Sequence, residues 1–133
     1  MIMKIKRCIK AIIIGLAFSL LIVGCTWGSY ITTDSIEKNT SNSISMEYGT
    51  FKGYRCTNVN LKAGDLLKLN IDVKTKNGYL DIYVLNKDGD EIYKAENPQE
   101  KVEEEINIES DGKYIIKVDG NHSGSYDIEW KVS

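Results

Sequence analysis

His122 is the single histidine in 133 residues, and it sits in the turn-like stretch Asn121-His122-Ser123-Gly124. A catalytic imidazole needs a nucleophile beside it and a third group to orient it. No Gly-x-Ser-x-Gly elbow, His-Glu-x-x-His pair or phosphate-cradling glycine loop accompanies it. His122 is therefore expected in a solvated loop. Carboxylates are plentiful, but no particular pair is spaced for glycosidase work. Asn86-Lys87-Asp88-Gly89-Asp90-Glu91 gathers oxygen ligands without the spacing of a calcium-binding loop. Asn, Asp and Gly in that order are turn formers, so a turn is expected and no metal or cofactor is assigned. The chain is expected not to be an enzyme.

Tyrosines give the best candidate for binding chemistry. Asn86-Lys87-Asp88-Gly89 suits a type I turn followed by a left-handed glycine, a three-residue hairpin loop with a bulge. In that register Asn86 pairs with Asp90, and Val84 faces Ile92 on the inner side. Tyr83 then lies across from Tyr93 on the outer face, with Tyr79 and Asp81 along the same strand side. Aligned tyrosines beside a carboxylate are suited to stack on a sugar or dock a partner. The plainer alternative is a cross-strand aromatic pair, worth about 0.2–1 kcal/mol to the sheet.

The elements that must position these residues are strands. Leu67, Leu69, Ile71 and Val73 alternate with polar residues, as do Leu80, Ile82 and Val84. Tyr114, Ile116 and Val118 follow the same period, and so do Tyr126, Ile128, Trp130 and Val132. Such alternation gives each strand one buried and one wet face. Turn signals separate the runs at Ala63-Gly64-Asp65, Lys76-Asn77-Gly78, Asp88-Gly89, Asp111-Gly112 and Gly120 to Gly124. Strands and turns at this spacing predict an all-β fold, a small antiparallel β-sandwich or small barrel of seven or eight strands over residues 46–133. Glu100 to Glu105 would allow one helical turn, but Val102, Ile106 and Ile108 fit a strand better. Tyr114, Tyr126 and Trp130 are expected to dominate the core. Asp111-Gly112-Lys113-Tyr114 resembles a tyrosine corner, in which the hydroxyl bonds back to nearby backbone.

Residues 26–45 contain eleven Ser, Thr or Asn and no apolar periodicity, which predicts a flexible tether over 25–45. Before it, Lys4, Lys6, Arg7 and Lys10 precede a 13-residue apolar run from Ala11 to Val23. That layout is a secretory signal peptide over residues 1–24, short for a membrane span of about 20 residues. Without those residues the chain has 13 Lys and Arg against 19 Asp and Glu, net −6. Neither this balance nor the −2 of the full chain suits nucleic acid. Nor would an acidic domain hold itself to anionic lipid by charge. Cys8 lies in the leader, and Cys56 is expected as a small strand residue.

Ile22-Val23-Gly24-Cys25 resembles the bacterial lipobox. The resemblance implies cleavage between Gly24 and Cys25 and a diacylglyceryl group on the Cys25 thiol. Two acyl chains on one residue give the stable anchoring that one chain does not. The expected location is the extracytoplasmic face of a cell membrane. The stretch Phe51-Lys-Gly-Tyr, with Leu61-Lys-Ala-Gly-Asp-Leu-Leu, Gly78-Tyr-Leu-Asp-Ile-Tyr-Val, Asp111-Gly-Lys-Tyr-Ile-Ile-Lys-Val and Gly124-Ser-Tyr-Asp-Ile, resembles the bacterial pre-peptidase C-terminal β-sandwich and GOLD-type jelly rolls. Those motifs specify turns and core, and the resemblance implies a small antiparallel, jelly-roll-like β-sandwich that serves as a non-catalytic accessory domain. The expected partner is an envelope ligand or protein, with a cell-wall glycan as the alternative and a small envelope hydrolase as a remoter one.

Overall fold

A computed structural model describes residues 26–133; the expected signal peptide, cleavage site and acylated Cys25 lie outside them. Among the described residues seven strands form, all antiparallel: β1 (Thr26–Thr33), β2 (Ile36–Thr40), β3 (Ser43–Leu61), β4 (Leu66–Leu85), β5 (Glu91–Ala95), β6 (Val102–Asn107) and β7 (Gly112–Val132). β7 lies between β3 and β4 and pairs with both along nearly its whole length. β1 and β2 follow one another along the far side of β3, and β5 and β6 do the same along β4. The result is an array of five ribbons folded double into two layers. One layer holds β2, the first part of β3, the end of β7, the start of β4, and β6. The other holds β1, the rest of β3, the start of β7, the end of β4, and β5.

The two inner faces share one core. Ile44, Met46 and Tyr48 of β3, Leu67, Leu69, Ile71 and Val73 of β4, and Tyr126, Ile128 and Trp130 of β7 are buried in the first layer. Phe51, Val59 and Leu61, with Leu80, Ile82, Val84, Tyr114, Ile116 and Val118, are buried in the second. The Phe51 and Tyr126 rings meet across the layers edge to face at 6.2 Å. Fully burying one such Leu, Ile or Phe contributes about 1.5–3 kcal/mol. The Tyr114 hydroxyl donates to the Ser110 carbonyl at 2.7 Å, closing the corner that its sequence resembles.

The crease explains two departures from the sequence reading. Lys76-Asn77-Gly78 and Gly120 to Gly124 do not end strands; β4 and β7 run through both and bend. In β4 the inward residues are odd-numbered up to Val73 and even-numbered from Leu80. A shift of one residue turns every side chain to the other face, and the irregularity between Thr75 and Asn77 supplies it. β3 switches parity in the same way between Tyr48 and Phe51. Gly78 has φ +83°, and a Cβ there would lie 2.0 Å from the Asn121 carbonyl oxygen. The ribbons approach too closely at the bend for a side chain on this residue.

The expected tether is a second correction. Residues 26–45 form β1, β2 and the start of β3. Their polar composition suits an edge ribbon with one face in water, and Arg55 of β3 holds the ribbon through an ion pair with Glu37 of β2. Coil propensity is overridden by that pairing.

Candidate functional site

The outer face of the layer that contains β1 and β5 carries the aromatic chemistry. Outward positions meet there in register: Trp27 with Cys56, Cys56 with Lys117, Lys117 with Tyr83, and Tyr83 with Lys94. One step along lie Tyr54, Asp119 and Asp81; beyond them are Lys52, Asn121 and Tyr79. The Lys117 ammonium sits 5.1 Å from the centre of the Tyr54 ring and 5.8 Å from that of Tyr83. The Lys94 ammonium lies 5.3 Å from the centre of the same Tyr83 ring. Trp27 packs edge-on against Tyr54 at 6.4 Å, and its Nε1 donates to Asn58 Oδ1 at 3.3 Å. Cys56 is buried beneath this row.

Electrostatics keep the face neutral at its rings. Burial first, and then the Asp81 carboxylate, push the Tyr83 hydroxyl above its ordinary range, with Lys94 acting against them. Tyr83 therefore remains a protonated donor at neutral pH. Asp81 has a second task, since its Oδ1 accepts the Asn97 backbone N–H at 2.9 Å and fixes the corner after β5. Lys117 also pairs weakly with Asp119 at 4.0 Å.

Of the sequence-predicted site residues, Tyr79, Asp81 and Tyr83 share this outer face, and Tyr93 does not. The turn itself forms as expected: Gly89 N–H donates to Asn86 O at 3.0 Å, and Asn86 N–H to Asp90 O at 2.9 Å. Asn86 Oδ1 accepts the backbone N–H groups of Asp88 and Asp90, so this side chain serves the turn. Directly after it the register shifts: Leu85 pairs with Glu91, but Val84 pairs with Tyr93 and Tyr83 with Lys94. Ile92 is the extra residue, and Tyr93 turns inward against the core. Sequence reasoning missed Trp27, Tyr54 and Lys117. The alternation Tyr54, Cys56, Asn58 opposite the core positions of β3 was the available signal for Tyr54.

His122 is not a loop residue. It is buried on β7 at the crease, with Nδ1 2.7 Å from the Tyr48 hydroxyl and Nε2 2.8 Å from Thr75 Oγ1. Burial lowers its pKa below the ordinary histidine value. Thr75, His122 and Tyr48 have the spacing of a nucleophile, base and orienting group. However, Tyr48 is a neutral phenol whose own pKa burial raises, so it gives an imidazolium no counter-charge. A base that resists protonation and has no carboxylate behind it is poorly built for proton abstraction. The three residues instead tie β3, β4 and β7 together at the bend. A cleft of about 520 Å³ opens there between Ile36, Tyr48, Thr75 and Ser125.

On the opposite outer face, Asp72, Glu103, Asp127 and Glu129 border a groove of about 260 Å³. Among the described residues no group of three or more His, Cys, Asp or Glu side chains is placed to hold a metal ion.

No protein-family model matches the sequence, and no curated protein matches it. Solved structures with a similar course include the C-terminal CBM6 of LamC, a marine laminarinase from Zobellia galactanivorans. It is 16% identical, with 80% of this chain and 96% of that one covered and a TM-score of 0.42. The carbohydrate-binding module CBM6cm-2 of Cellvibrio mixtus lichenase 5A, in complex with cellotriose, is 17% identical over 82% of this chain and 95% of that one, TM-score 0.41. The enzymatically active domain of bacteriophage CBA120 tailspike protein 4 is 15% identical over 81% of this chain, TM-score 0.46; the chain spans 19% of its length.

Proposed function

We propose that this protein is a non-catalytic glycan-binding β-sandwich, held at the extracytoplasmic face of a membrane by an acylated Cys25. The observation that carries the binding reading is the half-exposed row of Tyr54 and Tyr83 on either side of Lys117. β3 and β4 flank β7, two strand spacings or about 10 Å apart, which suits consecutive sugar rings laid across the strands. The apolar C–H face of a pyranose stacks on such rings. Sugar hydroxyls need donors and acceptors at the margin, and Asn58, Asn121, Asp119, Lys94 and the Tyr83 hydroxyl supply both. A flat, half-exposed platform of this kind suits a polymer better than a small metabolite, which favours an enclosed pocket. Anchoring is supported by the lipobox-like Ile22-Val23-Gly24-Cys25 after a signal-peptide layout.

Titration calorimetry with a panel of soluble envelope oligosaccharides tests the binding reading. The wild type is expected to bind at least one of them, and Tyr54→Ala with Tyr83→Ala to weaken that binding by tenfold or more, about 1.4 kcal/mol. Loss of stability from these half-exposed sites is expected to stay within about 1 kcal/mol each. An unchanged affinity in the double variant, or no binding across the panel, rejects the platform.

A further inference from the structure

We infer that the β1–β2 edge of the sandwich rests directly on the membrane surface that holds Cys25, a docking surface for a lipid bilayer. The inference rests on the proposed acylation of Cys25. β1 begins at Thr26, the next residue in the chain. One residue spans at most about 3.6 Å, so the first strand is tied to the acylated thiol without a spacer. The Thr26 end of β1 is therefore held at the headgroups, and the makeup of the edge beyond it is what lays the rest of the strand against them.

The composition of that strand fits the position. Its sequence, Thr-Trp-Gly-Ser-Tyr-Ile-Thr-Thr, carries no charge in a chain that is 27% charged. Among the described residues the large exposed hydrophobics number six, and three of them flank this edge: Tyr30 at 36% exposure, stacked on Phe51 on the inner side, and Ile31 at 72% and Ile36 at 63%, on the outer faces of the two layers beside Lys52 and Glu47. The other three, Tyr79, Ile92 and Val132, belong to β4, β5 and β7. Trp27 stands half-buried at the start of the same edge. Trp and Tyr favour the zone between headgroups and acyl chains. Charge does not oppose the contact strongly: Glu37 is paired with Arg55, and exposed Lys38 on β2 offsets Asp34 at the joint between the two strands. The edge also has a backbone reason to be covered. Among the described residues β1 and β2 pair with β3 alone, and an open strand edge invites unwanted pairing. The hydrated headgroup layer offers hydrogen-bond partners without offering another strand. In this orientation the aromatic platform stands upright, with Trp27 at its foot and Tyr83 further from the lipid.

The test uses the processed, lipidated protein in phosphatidylglycerol vesicles whose acyl chains are brominated near the headgroup. The chain has two tryptophans, and Trp130 is in the core. Bromolipids are expected to quench a share of the emission that Trp27→Phe abolishes. Ile31→Glu with Ile36→Glu, both at exposed sites, is expected to cut that quenching by about half without changing the melting temperature. Mass spectrometry separates the two readings. An unmodified Cys25 rejects the anchor and the docking with it, while an acylated Cys25 with unquenched Trp27 rejects the docking alone. A two-chain sedimentation mass with Trp27 already shielded before vesicles are added would show a second copy on this edge, and would overturn the inference.

Discussion

Arg55 offers the sharpest test of how the edge ribbon is held. Its side chain is 2% exposed on the inner side of β3. Nη1 donates to the Tyr126 hydroxyl at 2.9 Å, Nη2 pairs with Glu37, and the guanidinium lies 6.0 Å from the Tyr30 ring centre. Glu37→Gln keeps the shape and removes the counter-charge. Breaking a fully buried pair costs about 3–5 kcal/mol because the remaining ion is stranded. The Glu37 side chain is 36% exposed, so water screens part of the interaction and the expected cost falls to about 1–3 kcal/mol. Urea melts should show the midpoint fall at constant slope, with Tm lower by roughly 4–8 °C per kcal/mol. Arg55→Met removes the charge but leaves the Tyr126 hydroxyl without this donor, about 1–3 kcal/mol. Combined with Glu37→Leu it should cost less than the two single changes together, since no unpaired ion is left. A loss below about 0.5 kcal/mol in Glu37→Gln would refute the reasoning and show that the ion pair does not hold β2.

Two further predictions concern the crease. Burial lowers the His122 pKa, so the unfolded chain takes up a proton near 6.5 while the folded one does so only at lower pH. Between those values the unfolded state binds more protons. Stability from this group is thus complete above about 6.5 and declines as pH falls toward the folded value; His122→Gln should flatten that part of a stability–pH profile, and an unchanged slope would show that His122 does not cause it. Gly78→Ala adds a clash with the Asn121 carbonyl to the cost of positive φ, whereas Gly64 has φ +92° with nothing within 4 Å of where a Cβ would stand. Gly64→Ala should therefore cost about 1–2 kcal/mol and Gly78→Ala clearly more by thermal melting, and equal losses would argue against close approach at the bend.

The strand character of residues 46–133 was legible because burial alternates there with period two. The course of the strands was not, because a bulge in a bent strand and a turn between two strands use the same residues. Lys76-Asn77-Gly78 has the composition of a hairpin turn, and the parity of buried residues changes across it, which a turn also permits. β7 was the more readable case. Tyr114, Ile116, Val118, Gly120, His122, Gly124, Tyr126, Ile128 and Trp130 are all even-numbered and all buried. That unbroken parity points to one continuous strand and to an inward His122, and the glycines concealed it. The edge ribbon had no such signal: β1 and β2 are largely exposed, and their order comes from pairing with residues up to 31 positions away.

The same distinction between local and distant information decides the aromatic face proposed for binding. Tyr79, Asp81 and Tyr83 share a strand, so period two was enough to place them together. Tyr93 was misplaced because the turn geometry was carried one residue too far; the loop fixes Asn86 opposite Asp90, but the extra Ile92 reverses the facing of Tyr93 and Lys94. Trp27, Tyr54 and Lys117 reach the row from three other elements. They meet Tyr83 only because β7 enters between β3 and β4, and no local pattern in β3, β4 or β7 specifies that insertion. The platform is thus a product of topology. Its cross-strand contacts depend on β7 lying flat between its neighbours, so changes at the crease that disturb β7 should weaken binding along with stability. Changes at Tyr54 and Tyr83 should weaken binding and leave the core intact.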